Sequence, residues 1–308
     1  MNELNVMAPR KDFSRIGIAM VVMLGSLIGL QYLISAVLTH YYGEQVLSIM
    51  WVSLLLGLAP QYLISIPAAY LIIRGLPKQS VEPMRINFGR FCILFLICYF
   101  LMYAGNLVGI GVTSAIEFFT ESQMQVFLDD VFTGTNIWIY SASVVVAAPI
   151  VEELFFRKLL ISRMERHGEK AAILMSGLIF GIFHGNFSQF FYAFALGIVL
   201  GYIYIRTRKI GITIALHMLV NLLGGVLAPL AVQNSILLMT LVSLGVIGIA
   251  IAGLVLFILQ IRKVSLVKRP TQMLGSHWGE YAFVNTGMIL FLVAGVILFV
   301  TNTLVSLV

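Results

Sequence analysis

Long apolar runs separated by short polar loops dominate the pattern of this chain. A helix needs roughly 20 apolar residues to cross a hydrocarbon core of about 30 Å, and nine runs approach or exceed that length. In order they are 16–38, 46–73, 91–112, 136–156, 171–187, 189–205, 210–230, 235–261 and 281–306. The fifth and sixth are two short spans, because one helix made of both would far exceed the bilayer. The pattern therefore predicts an all-α, polytopic transmembrane helical bundle of eight or nine spans.

Composition and charge distribution also favour a membrane protein. Of 308 residues, 60% are hydrophobic and 10% charged, whereas roughly 25% of the residues in soluble domains are charged. The net charge of +6 does not indicate a nucleic-acid partner, because all 19 Lys and Arg residues lie before the first run or in the loops after the second, fourth, sixth and eighth. By the positive-inside rule we expect the N-terminus in the cytoplasm and, with nine spans, the C-terminus outside.

The runs divide the chain into three regions. Residues 1–135 hold the first three spans and an outer segment, 113–135, whose aromatic and acidic residues indicate an amphipathic helix at the membrane interface. Residues 136–230 hold spans four to seven and all of the candidate chemistry. Residues 231–308 hold the last two spans.

The cysteines and three of the histidines offer no candidate chemistry. Cys92 and Cys98 lie six residues apart in one run, on different faces of a helix, so they cannot form a disulfide with each other and are expected to be small buried hydrophobes. His40, His167 and His277 lie in predicted loops beside Tyr, Arg or Trp. For these three we expect anchoring at the interface or plain solvation.

Two adjacent glutamates near the end of the fourth run are the most informative polar residues. Ionisable groups are costly inside a membrane, so they indicate a functional site that faces the bundle interior. Glu153 and Arg157 stand at the four-residue spacing of a helical ion pair. Glu152 points elsewhere, has no partner in its own helix and is the candidate general base. Pro149 removes one backbone hydrogen bond, which should free the carbonyl of Val145 and bend the helix before Glu152.

Polar side chains follow the same helical spacing in the fifth and seventh runs. Phe180 and His184 share one face of the fifth run, and His217 and Asn221 share one face of the seventh. A lone His or Asn in a membrane helix is often only an interhelical hydrogen-bond former. The set as a whole favours a catalytic site, in which Glu152 takes a proton from water while His217 and Asn221 donate to the developing oxyanion.

Small residues at four-residue spacing predict where helices pack closely. Gly177 and Gly181 form such a pair in the fifth run, and Ala193, Gly197 and Gly201 form a stripe in the sixth. Stripes of this kind let the backbones of two membrane helices approach each other. We therefore expect them to act as scaffold for the site and to carry no chemistry themselves.

Three ordered motifs on separate helices give the chain a family resemblance. They are Glu152-Glu153-x-x-x-Arg157, Phe180-x-x-x-His184 and His217-x-x-x-Asn221. Together they resemble the signature of the CAAX-protease and bacteriocin-processing family of intramembrane proteases, also called CPBP or Abi proteins. The stretch from Ala193 to Asn221 also looks like the family's core. A ninth span would depart from the layout of the family's prenyl-protease members.

The resemblance implies hydrolysis of a peptide bond within or at the membrane. In such proteins the first glutamate, here Glu152, acts with the histidine of the second motif, here His184, to activate water. The pair of the third motif, here His217 and Asn221, stabilises the oxyanion. The implied substrate is a membrane-associated or prenylated peptide or protein, reached among membrane lipids. The expected location is a bacterial plasma membrane.

The residues leave open whether a metal takes part. Glu152, His184 and His217 could supply a catalytic zinc that keeps an open coordination position. The His-Glu-x-x-His helix of zincins, however, is absent from the sequence. We therefore favour water activated by glutamate and histidine and keep zinc as the alternative.

Two other classes of function compete with an endopeptidase. A non-catalytic membrane protein that confers bacteriocin immunity or scaffolds a partner would not depend on Glu152. A proton-coupled transporter would use the same carboxylates as a proton relay. The sequence lacks the repeated broken-helix halves of many transporters, which argues against the second of these.

Overall fold

The protein is described by a computed structural model over residues 3–78, 86–123, 137–264, 266 and 278–307. All regular elements in these ranges are helical, and they contain no strand. A helix satisfies its backbone hydrogen bonds within one segment, which is what continuous apolar runs require in lipid. The predicted all-α architecture is confirmed.

The helices pack into two compact units. One comprises Met1–Lys78 with Met273–Ile297, and the other comprises Gln79–Gln272 with Leu298–Val308. The first unit contains α1 (Glu3–Tyr42), a 3-10 turn (Glu44–Ser48), α2 (Met50–Ala59), a π-helical segment (Pro60–Ser65) and α3 (Ile66–Ile73).

The second unit holds the region with the candidate chemistry. Its elements up to the third motif are α4 (Phe88–Thr120), α5 (Ile137–Ser141), a π-helical segment (Ala142–Ala147), α6 (Ala148–Glu152), a second π-helical segment (Glu153–Ile161), α7 (Ser162–Met164), a 3-10 turn (Glu165–His167), α8 (Glu169–Phe183), α9 (Phe187–Thr207) and α10 (Ile210–Asn221). A third π-helical segment (Leu222–Leu227), α11 (Ala228–Asn234) and α12 (Ile236–Ile261) follow. The last helices of the chain are α13 (Trp278–Phe283) and α14 (Thr286–Ser306).

Seven helices within the described ranges are long and apolar enough to cross a membrane. They are Pro9–Tyr42, Trp51–Ile73, Phe88–Thr120, Phe187–Thr207, Ile210–Ala231, Ile236–Ile261 and Thr286–Ser306. The other two predicted spans are helical as well. Run 136–156 is divided among α5, α6 and π-helical segments, and run 171–187 falls largely in α8, whose 15 residues extend only about 22 Å. The protein is therefore a polytopic membrane bundle, although fewer than eight of its described helices are long and apolar enough to cross a membrane.

The third span differs from its prediction at its outer end and in its packing. Residues 113–120 continue α4 instead of forming a separate amphipathic helix, and α4 ends at Glu121, whose φ of 53° is left-handed. The rest of the predicted segment, 124–135, lies outside the described residues. Within the second unit α4 packs on α9 and α12, and the predicted division of the chain at residue 135 stays a prediction.

Three of the four π-helical segments described above end two residues before a proline. These prolines are Pro67, Pro149 and Pro229. A proline lacks an N–H and its ring collides with the carbonyl four residues back, and the wider π turn moves that carbonyl away. Ala148 donates its N–H to the carbonyl of Ser143, five residues back. In this register Pro149 frees the carbonyl of Val144, so the predicted carbonyl of Val145 is corrected by one position.

Close packing of α8 on α9 confirms the predicted glycine stripes. A Cβ built at Gly197 would lie 2.8 Å from the Cα of Gly177, and one at Gly181 would lie 3.0 Å from the ring of Phe190. The buried core beside this contact joins α4, α9 and α10 and includes Cys98, which is 0% exposed as predicted. The glycines thus bring the helix that carries the second motif against the middle of the unit.

The polar turn between α7 and α8 is buried, which the sequence did not indicate. Glu165 forms a bidentate ion pair with Arg208, and Glu169 pairs with Arg206 at 2.7 Å. His167 is only 9% exposed, so the expectation of a solvated or interfacial loop is wrong for this residue. His40 lies in the last turn of α1 instead of a loop, and His277 lies outside the described residues.

Candidate functional site

A fully buried ion pair stands at the centre of the first motif. The Nε of Arg157 lies 3.2 Å from Oε2 of Glu153, and both side chains are 0% exposed. Both residues belong to the π-helical segment Glu153–Ile161. The ion pair predicted from their spacing is confirmed. Its burial means that each charge depends on the other, because an isolated charge in a low-dielectric interior is costly.

The ring of Phe180 connects this ion pair to the other two motifs. The guanidinium of Arg157 lies 4.6 Å above the ring centroid, within the range of a cation–π contact. The same ring meets those of His184 and His217 edge-on, with centroids 4.8 and 5.8 Å away. Phe180 is 1% exposed. It therefore separates the two histidines and fixes the direction of both rings.

His217 links the two glutamates, a connection that the sequence did not reveal. Its Nδ1 lies 3.0 Å from Oε1 of Glu153, and a carboxylate held by Arg157 can only accept, so the ring donates from Nδ1. The opposite nitrogen, Nε2, lies 3.8 Å from Oε2 of Glu152. A chain of contacts therefore runs from Arg157 through Glu153 and His217 to Glu152.

Glu152 is the accessible acid of the pair. Its side chain is 18% exposed, and it makes no hydrogen bond to any residue that the structure describes. The 3.8 Å between its Oε2 and Nε2 of His217 is too long for a direct hydrogen bond. A separation of this size between two polar atoms is one that a water can bridge.

His184 directly follows the last residue of α8, and its Nε2, like that of His217, is the nitrogen left as an acceptor. Its Nδ1 lies 2.8 Å from the carbonyl oxygen of Phe180, which can only accept, so Nδ1 carries the proton and Nε2 is left as an acceptor. The imidazole nitrogen that lies 3.8 Å from the carboxylate of Glu152 belongs to His217. The expected direct meeting of Glu152 with His184 stays a prediction.

The turn after His184 is tied down from two sides. Asn186 donates from Nδ2 to the carbonyl of His184, and Asn302 from α14 donates to the carbonyl of Gly185, both at 2.9 Å. Gly185 has a φ of +69°, which a residue with a Cβ adopts at a cost. The last helix of the chain thereby helps to hold the second motif in place.

Asn221 supports the helix that carries Glu152. Its Nδ2 donates to the carbonyl of Val144 at 2.9 Å, which is the carbonyl that Pro149 leaves without a backbone donor. One of the two N–H groups of the amide is thereby used in the scaffold. The predicted role of Asn221 as an oxyanion donor stays a prediction for the remaining N–H.

Two further side chains lie against the site that sequence reasoning did not select. Thr213, which is 0% exposed, lies one turn before His217 and approaches the carboxylate of Glu153. Its spacing from His217 could have identified it. Tyr192 of α9 lies beside His184, with ring centroids 6.0 Å apart. No motif in the sequence marks Tyr192.

The arrangement does not fit a metal ion as it stands. Two Nε2 atoms and a carboxylate are suitable donors for zinc. Within the described part of the chain, however, no three His, Cys, Asp or Glu side chains form a group that could hold a metal. The candidate ligands Glu152, His184 and His217 are all among the described residues.

Part of this chain is similar to known proteins, and one match covers the segment that carries the three motifs. Residues 134–223 match the family model described as type II CAAX prenyl endopeptidase Rce1-like. The chain is 29% identical over 157 residues to the "Putative membrane peptidase YdiL" of Bacillus subtilis, covering 49% of this chain and 62% of that relative. It is 32% identical over 113 residues to the "UPF0177 protein YbdJ" of Lactococcus lactis, covering 36% of this chain and 48% of that relative.

The extent of these matches limits what they show. The chain spans less than two thirds of the length of each curated relative, and no solved structure matches it. The matched segment nevertheless contains all three motifs and every residue of the predicted site. The resemblance predicted from the motifs is thus confirmed for residues 134–223, which match the family model of Rce1-like type II CAAX prenyl endopeptidases.

Proposed function

We propose that this protein is an intramembrane endopeptidase that hydrolyses a peptide bond of a membrane-associated or lipidated peptide or protein. The observation that carries the proposal is the 3.8 Å gap between Oε2 of Glu152 and Nε2 of His217. Both atoms are acceptors, so a water with two protons to donate suits the space between them. A water held in this way is oriented for attack and has a base beside it.

The proposed reaction begins with that water. Glu152 takes one of its protons as the water oxygen forms a bond to the carbonyl carbon of the scissile peptide. The carbon–nitrogen bond then breaks, and the proton held by Glu152 passes to the leaving amine. The second water proton stays on the new carboxyl group, so atoms and charges balance without a further reactant.

The remaining residues orient and stabilise the reacting groups. Glu153 accepts from Nδ1 of His217 and so fixes the tautomer whose Nε2 faces the water. Arg157 keeps Glu153 ionised. His184 offers its Nε2 as an alternative to Nε2 of His217 for the second water proton, and the free N–H of Asn221 donates to the oxyanion.

The substrate class is proposed from the matched family and from the surroundings of the site. The name of the family describes a prenyl endopeptidase, and the name of the Bacillus subtilis relative describes a membrane peptidase. Helices α4 and α9, and the segment Ile210–Ala231 that contains α10, are long and apolar enough to cross a membrane. A lipidated or membrane-embedded peptide would reach such a site from the bilayer.

The test is the substitution Glu152→Gln in purified protein reconstituted in lipid. Glutamine keeps the shape but cannot accept a proton, so cleavage of a prenylated or membrane peptide should fall by about three orders of magnitude or more. Glu121→Gln is the matched control, since this exposed acid closes α4. The unfolding temperature of both variants should equal that of the unchanged protein.

Other outcomes would favour the competing functions or mechanisms. Cleavage at the original rate by Glu152→Gln would overturn the proposed site. Bacteriocin protection that survives the substitution would favour a non-catalytic immunity protein or scaffold, and proton-coupled flux in vesicles would favour a transporter. Loss of activity on chelation, with metal found in the same preparation, would favour zinc over water activated by Glu152 alone.

A further inference from the structure

A tyrosine outside the three motifs reaches the proposed site from α9. The ring of Tyr192 lies beside that of His184, with centroids 6.0 Å apart and planes at 75°. Tyr192 therefore lies against one of the two histidines of the proposed site.

The position of Tyr192 is set by close packing between α4 and α9. A Cβ built at Gly105 would lie 2.6 Å from the Cα of Tyr192, and one built at Gly109 would lie 2.7 Å from the carbonyl oxygen of Ser188. Two glycines four residues apart let the backbones touch in this way. Asn186 also caps the start of α9 by accepting from the N–H of Gln189. The backbone that carries Tyr192 is therefore fixed relative to α4.

The hydroxyl of Tyr192 makes no hydrogen bond within the described residues. Its side chain is only partly buried, so a molecule that enters the site can reach it. A tyrosine hydroxyl can donate one hydrogen bond to such a molecule.

A count of donors shows what such a hydroxyl would add. In the neutral tautomers assigned above, Glu152 and the Nε2 atoms of His184 and His217 accept hydrogen bonds, so the predicted donation from His217 to the oxyanion requires its protonated form. Arg157 is 0% exposed beneath Phe180. Asn221 has already given one N–H to Val144. The site as described is thus rich in acceptors and short of donors.

We infer that Tyr192 is a further catalytic residue, whose hydroxyl donates a hydrogen bond to the oxyanion formed at the scissile carbonyl. The inference rests on the proposed peptidase function and adds to it the second donor of the oxyanion site, beside Asn221. The hydroxyl gives up no proton, and its hydrogen bond strengthens as negative charge develops on the carbonyl oxygen.

The first experiment compares Tyr192→Phe with Tyr204→Phe in the reconstituted protein. The loss of one oxyanion donor should lower kcat about 100-fold or more and leave KM nearly unchanged. Tyr204 is the matched control, because it is 8% exposed and lies on the same helix about 18 Å away. Its substitution should leave both constants unchanged. An unchanged kcat in Tyr192→Phe would overturn the inference.

The shape of the pH–rate profile separates an oxyanion donor from a structural role. Tyr192→Phe should lower kcat equally at every pH, because the hydroxyl does not titrate in the cycle. Replacement of Tyr192 by 3-fluorotyrosine keeps the shape and makes the hydroxyl a stronger hydrogen-bond donor. With this residue kcat at neutral pH should equal or exceed that of the unchanged protein. A loss of about 100-fold would contradict the inference even if Tyr192→Phe failed to fold.

A parallel measurement on Glu152→Gln distinguishes failure of this inference from failure of the proposed function. If Glu152→Gln loses activity and Tyr192→Phe does not, the peptidase site stands and Tyr192 has no catalytic role. If both variants cleave at the original rate, the proposed function itself is wrong. If both lose activity with unchanged unfolding temperatures, both proposals are supported.

Discussion

The buried ion pair of Glu153 and Arg157 has both a structural and a proposed catalytic consequence. Because both side chains are 0% exposed, removal of one partner strands the other charge. Glu153→Gln should therefore lower the free energy of unfolding by about 3–5 kcal/mol. Glu280→Gln is the control, since the pair of Glu280 with Arg10 is about half exposed and should contribute less than about 1 kcal/mol. Denaturant unfolding in detergent micelles measures both.

A double variant separates the two consequences of that pair. Glu153→Gln with Arg157→Met leaves no stranded charge, so most of the lost stability should return. Peptidase activity should stay low, because His217 still lacks the carboxylate that holds Nδ1. If activity returned together with stability, the role of Glu153 in orienting His217 would be refuted.

His167 should make stability depend on pH. Burial, followed by the charge of Arg166, lowers the pKa of His167 from 6.5 to about 4, and Arg166 donates from Nε to its Nε2 at 3.1 Å. Between these pH values the unfolded chain binds a proton that the folded protein does not. The free energy of unfolding should therefore fall by up to about 3 kcal/mol as the pH drops from 6.5 towards 4.

Unfolding midpoints at several pH values test this linkage. His167→Gln should remove most of the slope between pH 4 and 6.5, the range set by the two pKa values. His40→Gln should leave it unchanged, because His40 is exposed at the end of α1. A slope that persisted in His167→Gln would assign the titration to another group.

At the residue scale, sequence reasoning found the members of the site but not all of its contacts. Helical spacing placed Glu153 with Arg157, and the structure agrees. The hydrogen bond between Glu153 and His217 could not be predicted, because spacing gives the face of a residue on its own helix and not the neighbour that this face meets. Tyr192 was missed for a different reason, because one polar group on an apolar helix has no periodicity.

At the element scale, small residues were more informative than propensity. The stripes of Gly177 and Gly197 predicted a close contact between two helices, and it is present between α8 and α9. The π-helical segment before Pro149 could not be predicted, because an α-helix and a π-helix accept the same apolar residues. The carbonyl that Pro149 frees is therefore that of Val144 and not the predicted one of Val145, and Asn221 donates to it.

The contact at Gly197 predicts a substitution that the fold tolerates poorly. A methyl group there would lie 2.8 Å from backbone at Gly177, so α8 and α9 must separate. Gly197→Ala should lower the free energy of unfolding by about 1–3 kcal/mol. Gly245→Ala is the control, because nothing lies within 4 Å of its built Cβ, and alanine there should be neutral or slightly stabilising. Equal effects of the two substitutions would contradict the packing argument.

At the scale of the whole molecule, the charge pattern and the lengths of the helices constrain the topology together. Between α4 and α9, no helix in the described ranges is long and apolar enough to cross a membrane alone. Arg163, Arg166 and Lys170 nevertheless lie in or beside the α7–α8 turn of this region, and such residues favour the cytoplasmic side. If the region enters and returns as two short spans, α4 ends and α9 begins on the same, outer side.

Cysteine labelling decides whether that turn reaches the cytoplasm. In a background without Cys92 and Cys98, Glu121→Cys at the end of α4 should react with a membrane-impermeant maleimide in intact cells. Lys170→Cys should react only after the membrane is opened, because basic loops favour the inner side. Both positions are exposed on the protein, so a difference in reaction reports the membrane and not burial. If Lys170→Cys were labelled from outside, this position would lie on the outer side. The segment between α4 and α9, which carries Glu152 and His184, would then not cross the bilayer, and the site would open to the outer face.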